Sequence, residues 1–171
     1  DSSASNIDKA APRQYYGADL QISTQSKSWR SELRAEYITG LQTGTESSSQ
    51  TPGTYPLDKA GVKIPFFTRP FEGAYFTFVQ YLGSPKYQAI TKYDFYDPNK
   101  KVKGLEVSPD NGFTAADVKY NTFGFGLLHH FNQHFKIVVY YDYIINEKTL
   151  VKDFTRDRKD NILTIRTQFT F

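Results

Sequence analysis

The sequence predicts an all-β fold, an antiparallel transmembrane β-barrel of which about seven strands lie within the 171 residues. Apolar residues alternate with polar ones at a period of two, short and long connections alternate along the chain, and aromatic residues gather near both strand ends. Aromatic residues make up 16% of the chain, yet the mean hydropathy is −0.57. Such a composition suits a wall between lipid headgroups and water.

Seven segments carry the strand period, and each is close to the roughly 10 residues that a tilted membrane strand requires. In order, they are Tyr15–Thr24, Trp29–Gln42, Phe71–Leu82, Tyr87–Tyr96, Lys119–Phe131, Phe135–Asn146 and Asn161–Phe171. A soluble sandwich or lipocalin-like barrel alternates too, with its apolar face inward. The connections and the aromatic positions favour the membrane barrel over that alternative.

The faces of most segments can be assigned from the alternation. In the second, the apolar face carries Trp29, Leu33, Ala35, Tyr37 and Leu41. In the sixth, it carries Phe135, Ile137, Val139, Tyr141 and Tyr143, opposite Lys136, Tyr140 and Asp142. In the last, it carries Leu163, Ile165, Phe169 and Phe171, opposite Thr164, Arg166, Gln168 and Thr170. The third stays open, because Tyr75, Val79 and Tyr81 compete with Phe76, Phe78 and Leu82.

Short and long connections alternate strictly. The short ones are Gln25–Ser28, Gly83–Lys86 and Asn132–His134, and the long ones are Thr43–Pro70, Asp97–Val118 and Glu147–Asp160. Outer-membrane barrels have short periplasmic turns and long outer loops. We therefore expect Ser48, Lys101 and Arg156 at the cell surface, and Lys27, Pro85 and Gln133 in the periplasm.

Aromatic residues on the apolar face form two predicted bands. The band near the short turns contains Trp29, Tyr81, Tyr87, Phe131, Phe135, Phe169 and Phe171. The band near the long loops contains Tyr16, Tyr37, Tyr93, Phe95, Tyr141 and Tyr143. Smaller apolar residues lie between them, among them Leu33, Ala35, Ala89, Leu127, Val139 and Ile165. Two aromatic bands around an aliphatic belt match the two interfaces of a bilayer.

The other face is charged and is the predicted pore lining. It carries Asp19, Arg30, Glu32, Arg34, Glu36, Lys92, Asp94, Lys136, Asp142 and Arg166, together with Glu72. An Arg or Lys facing lipid near mid-membrane would cost about 2–4 kcal/mol, so this face must be inside a membrane barrel. The alternative is the salt-bridged outer face of a soluble sheet. Because the two signs nearly cancel, we expect only weak ion preference from this wall.

The first long loop begins polar and then becomes apolar at Val62, Ile64 and Phe66–Phe67. Folding inward onto the barrel wall would bury these residues, as in a constriction loop. Its candidate bases, Lys59, Lys63 and Arg69, would then approach the pore. Packing against a neighbouring subunit is an equal alternative.

Several function classes have no support in the sequence. There is no Cys for a disulfide, a thiol nucleophile or a thiolate metal site, and a net charge of +3 spread over the chain indicates no nucleic-acid surface. His129, His130 and His134 flank one short turn without a nearby carboxylate, which favours interface histidines over a metal site. We find no catalytic motif and predict neither an enzyme nor a cofactor.

The strand that ends at Phe171 resembles the terminal signal, here Phe169 and Phe171, that outer-membrane assembly machinery recognises. Seven strands are fewer than the smallest usual barrel of about eight. We therefore expect residues 1–171 to form a single region, the C-terminal portion of a larger barrel whose first strands and signal peptide lie outside this sequence.

Three stretches, Ser31–Gly40, Lys92–Asn99 and Asn121–Leu128, resemble the phosphate-selective porin O/P family, especially its Bacteroidota branch. The resemblance covers nearly the whole chain and matches the C-terminal half of such a porin. It implies a homotrimeric, water-filled barrel of about 16 strands in the outer membrane of a Gram-negative-type bacterium. The implied function is passive diffusion of small hydrophilic solutes, with anions such as phosphate among the candidates.

The resemblance also implies contact with outer-membrane lipid and lipopolysaccharide. No lysine cluster of a phosphate site can be matched in this sequence. Two alternatives stay open. One is a non-conducting structural or interaction barrel within a larger complex, and the other is a small closed barrel that serves as an adhesin or membrane anchor.

Overall fold

A computed structural model of the chain describes residues 7–26 and 29–171. They form one seven-stranded antiparallel sheet in which each strand pairs with the next along the chain. The strands are β1 (Gln14–Gln25), β2 (Arg30–Gly44), β3 (Phe67–Tyr81), β4 (Tyr87–Asp97), β5 (Tyr120–His130), β6 (Phe135–Asn146) and β7 (Ile162–Phe169). All seven predicted strands and their antiparallel order are confirmed. Within the described residues the sheet is open, with β1 and β7 at its edges.

The short connections lie at one end of the sheet and the long loops at the other, as predicted. Backbone hydrogen bonds close the turns at the short end, from Leu82 N to Tyr87 O (2.9 Å) and from Phe131 N to Phe135 O (3.0 Å). Gly83 adopts φ +67°, a left-handed conformation that suits glycine in a tight turn. Residues 27 and 28 of the first predicted turn, and so its tip at Lys27, lie outside the described residues.

Pairing with β2 decides the face assignment of β3. Leu33 pairs with Phe78 and Ala35 with Phe76, so both phenylalanines lie on the apolar face. β3 also begins four residues earlier than predicted, because Phe67 and Thr68 pair with the end of β2. The proline in this stretch, Pro70, lies beyond the last β3–β4 pair and therefore breaks no hydrogen bond to β4.

The buried cluster of apolar side chains in the described chain lies in the loops, while Phe71 is the buried hydrophobic residue of the described strands. Val107, Val118 and Val151 are buried together, with Val102, Phe113 and Phe154 packed around them. These residues come from loop 98–119 and loop 147–161, which a backbone hydrogen bond also joins, from Leu150 N to Val107 O (3.0 Å). The two loops therefore form one packed unit, called the loop cap below.

Three short 3-10 helices give loop 98–119 its shape, at Gly104–Glu106, Pro109–Asn111 and Ala115–Asp117. The Glu147 carboxylate of loop 147–161 accepts hydrogen bonds from Gly104 N (2.6 Å) and Lys119 N (3.4 Å). Two separate backbone donors are thus satisfied by one side chain across the loop cap. The described residues contain no helix long and apolar enough to cross a membrane.

Candidate functional site on the charged face

The strand register places all ten predicted pore-lining residues on one face of the sheet. Asp19 pairs with Glu36, and Lys92 and Asp142 both pair with Gly124. On β7, Arg166 pairs with Val138 and shares its face with Lys136. The charged face is therefore continuous from β1 to β7, and lining a pore stays a prediction for these residues.

Ion pairs hold several of these charges in place. Glu32 accepts from Arg30 (2.5 Å) and Arg34 (3.3 Å), one guanidinium on each carboxylate oxygen. Only 11% of the Glu32 side chain is exposed, which shows how far the two arginines cover it. On β4, Lys92 Nζ lies 2.6 Å from Asp94 Oδ1. Residues of opposite sign two positions apart thus pair along a single strand.

Two face assignments made from the sequence are wrong. Glu72 shares the apolar face with Tyr37, whose hydroxyl donates to it (3.0 Å), because Glu72 pairs with Thr39 on that face. Tyr81 belongs to the charged face, where the Arg30 guanidinium lies 5.3 Å from its ring centre. Without Glu72, the predicted charges on this face are five bases and five carboxylates. Arg69 of β3, which pairs with Gln42 in the register, also lies on this face, where Asp117 neutralises its charge.

The opposite face is apolar and exposed along its whole width. Ile165 is 68% exposed, and Leu127 and Phe125 on β5 are more than half exposed. Soluble proteins rarely leave a continuous apolar surface of this extent uncovered. We call this surface the apolar face, and it has no covering element among residues 7–26 and 29–171.

A row of aromatic rings crosses the apolar face at its short-turn end. Tyr87 stacks on His129 with ring centres 4.5 Å apart, and His129 meets Phe131 at 4.3 Å. Phe131 continues to Phe135 at 4.9 Å, which stacks on Phe169 at 4.5 Å. Tyr87, Phe131, Phe135 and Phe169, four members of the predicted band, therefore form one contact network with His129. Phe171 lies beyond this network and is fully exposed.

The three histidines have separate surroundings. His129 stacks in the aromatic row, His130 contacts the Gln88 amide on the charged face (3.3 Å), and His134 contacts the Thr170 carbonyl in the turn (3.1 Å). In the described part of the chain, no three His, Cys, Asp or Glu side chains are grouped as metal ligands.

The prediction that Arg69 belongs to the first long loop is wrong. Arg69 lies within β3, and its guanidinium contacts the Asp117 carboxylate at 2.7 Å with both side chains 3% exposed. Asn99 Nδ2 donates to the same Asp117 oxygen (2.9 Å), and Arg69 also donates to the carbonyls of Thr45 (2.8 Å) and Glu46 (3.2 Å). This buried pair anchors the loop cap and loop 45–66 to the end of β3.

The other two candidate bases lie in loop 45–66. Lys59 is exposed, whereas Lys63 pairs with Asp8 and approaches the Tyr55 ring. The hydrogen bond and the charge of Asp8 raise the pKa of the Lys63 ammonium. Asp8 N also donates to Tyr55 Oη (3.1 Å), so this loop packs against the segment before β1. The residues before Ile7 lie outside the described ones.

Sequence reasoning placed Tyr140 on the charged face but missed the other tyrosines there, and it missed the Arg69–Asp117 pair. Aligning β3 with the clearly alternating β2 would have assigned Tyr75 and Tyr81 to this face. The Arg69–Asp117 pair joins residues 48 positions apart and leaves no local pattern in the sequence. Comparisons of this chain with protein-family models, curated proteins and solved structures found no match. The porin resemblance therefore stays a prediction.

Proposed function

We propose that the sheet is part of the wall of a transmembrane β-barrel in the outer membrane of a Gram-negative-type bacterium, with the apolar face toward lipid. The exposed apolar face supports this, because hydrocarbon is the environment in which such a surface is stable. The aromatic row at the short-turn end would lie at the periplasmic interface, where amphipathic rings are favoured. The long loops would then lie outside the cell.

The open edges of the sheet support a larger closed barrel as part of this proposal. An unpaired backbone group in lipid costs several kcal/mol, so β1 and β7 require partner strands in a membrane. The family resemblance suggests about 16 strands and a homotrimer. Recognition of β7 and its terminal phenylalanines by assembly machinery, and contact with lipopolysaccharide, belong to the same proposal.

Within this barrel we propose a porin, a water-filled channel for passive diffusion of small hydrophilic solutes. The observation that carries the proposal is the charged face, where the ten predicted ionisable residues lie on five of the seven strands. These charges need water or ion partners, which a wet lumen supplies. Channel function needs no catalytic group or cofactor.

The test is reconstitution of the full-length protein in a planar lipid bilayer. We expect stepwise conductance increases and a small reversal potential under a salt gradient, since the five bases and five carboxylates balance. Heat-modifiable mobility on a gel would report the folded barrel independently. A protein that folds into vesicles but gives no conductance steps would contradict the porin and support the structural or interaction barrel.

A further inference from the structure

Six tyrosines share the charged face with the ionisable residues, and we call this set the tyrosine track. Its members are Tyr15, Tyr75, Tyr81, Tyr96, Tyr120 and Tyr140. Tyr15 and Tyr120 are exposed and the other four are half-buried, so each ring keeps part of its surface accessible on this face. Six phenol rings on one wall therefore offer aromatic surface to a passing solute.

The upper part of the track is a row of rings near the long loops. Tyr15 meets Phe71 at 5.5 Å, Phe71 meets Tyr96 at 6.1 Å, and Tyr96 meets Tyr120 at 5.9 Å between ring centres. Tyr15 and Phe71 can touch because the residue between them in the register, Gly40, has no side chain. The outer members of the row are accessible, with 47% of Tyr15 and 38% of Tyr120 exposed.

The track continues toward the short turns. Tyr75 lies between Glu36 and Asp94 in the register, and Tyr81 lies six residues further along β3, about 20 Å away. On β6, Tyr140 lies across Gly124 and Gly126, where an added Cβ would come within 1.9 and 2.3 Å of it. The two glycines let this ring lie flat along the wall instead of standing in the lumen.

Charged groups border the track, and much of their charge is already neutralised. Three of the five bases are paired, Arg30 and Arg34 with Glu32 and Lys92 with Asp94. An anion site needs several bases that are free to turn toward one ligand. The balanced face instead offers fixed donors and acceptors without a strong net field, which suits a neutral solute with many hydroxyl groups.

We propose that the tyrosine track binds neutral oligosaccharides and guides them along the wall, an inference that rests on the proposed porin function. A pyranose ring has an apolar C–H face and a rim of hydroxyls. The C–H face packs on the electron-rich face of a phenol, and the rim exchanges hydrogen bonds with carboxylates and guanidinium groups. The track provides both kinds of partner side by side, from the mouth to the short-turn end.

Maltohexaose serves as the probe in two measurements on full-length protein. Calorimetric titration of the detergent-solubilised protein reports binding without requiring conductance. Transient blocking of the ion current in a planar bilayer reports entry into the lumen. We expect both, and we expect maltohexaose to bind more tightly than inorganic phosphate.

The decisive variant is the double change Tyr15→Ser and Tyr120→Ser. Loss of two stacking surfaces should weaken maltohexaose binding roughly tenfold. Tyr15→Phe with Tyr120→Phe keeps both rings and should retain most of the affinity. Tyr143→Ser is the matched control, because Tyr143 is 43% exposed but lies on the apolar face.

The outcomes separate the two proposals. Maltohexaose binding that depends on the track, in a protein that does not conduct, would refute the porin and uphold the track. A conducting protein that neither binds maltohexaose nor shows current blocks overturns the track. An equal loss of binding in Tyr143→Ser, or tighter binding of phosphate, overturns it as well.

Discussion

Replacing Ile165 with Arg should strongly oppose insertion into a membrane, whereas Thr164→Arg should be tolerated. Ile165 is 68% exposed on the apolar face and pairs with Val139, while Thr164 pairs with Tyr140 on the charged face. Along β7, Ile165 lies three residues from Ile162 and four from Phe169, about 10 and 14 Å from the strand ends. The substitution therefore puts a guanidinium close to the centre of the apolar band.

An Arg at that depth costs about 2–4 kcal/mol, which corresponds to a shift of about 30- to 900-fold in the folding equilibrium. The assay is folding into phospholipid vesicles during a urea titration, with folded protein measured by its heat-modifiable gel mobility. Thr164→Arg adds the same side chain one residue away and is the matched control. Equal urea midpoints for the two variants would refute the assignment of the faces.

Three further perturbations test other parts of the structure. Asp117→Ala removes the carboxylate partner of the buried Arg69 and should destabilise the loop cap by about 3–5 kcal/mol. The measurement is protease cleavage, which should become faster in loop 98–119 while the sheet stays intact. Unchanged cleavage would show that the pair does not anchor the loop. Gly126→Val should clash with Tyr140 and lower the free energy of unfolding in vesicles by about 1–3 kcal/mol. Adding Tyr140→Ala to the same chain should recover part of that loss. If the two changes have additive effects, the two residues do not interact. Cysteines at Lys101 and Arg156 should react with an impermeant reagent on intact cells while those at Pro85 and Gln133 do not, and the reverse pattern would invert the topology.

The sequence was sufficient for the strands whose two faces differ clearly. In β2 and β7 one face carries most of the apolar residues and the other the charged ones. A shift of one residue would exchange the two faces, and both strands were predicted to within a few residues. The alternating connection lengths likewise predicted which end of the sheet carries the loops. These features are local, which is why pattern alone finds them.

Features that depend on contacts between distant residues were not accessible in this way. β3 has large apolar residues on both faces, so Tyr81 and Glu72 could be assigned only through the register with β2. The predicted connection Thr43–Pro70 included Arg69, but Arg69 lies in β3, where Asp117 supplies the partner that makes a buried guanidinium tolerable. Likewise, the sequence gives no local sign that Val107 and Val151 meet.

If the sheet lies in a membrane as proposed, the location of the buried cluster makes two parts of this chain depend on different solvents. The valines of the loop cap are stabilised by exclusion of water, so their packing responds to urea, temperature and salting-out ions. In the proposed membrane barrel the apolar face of the sheet is stable only while hydrocarbon surrounds it, so its integrity depends on the length and packing of the amphiphile that replaces the bilayer. A detergent chosen to extract the protein can therefore loosen the sheet while the loop cap stays packed. Mild urea can unfold the loop cap while the sheet stays folded.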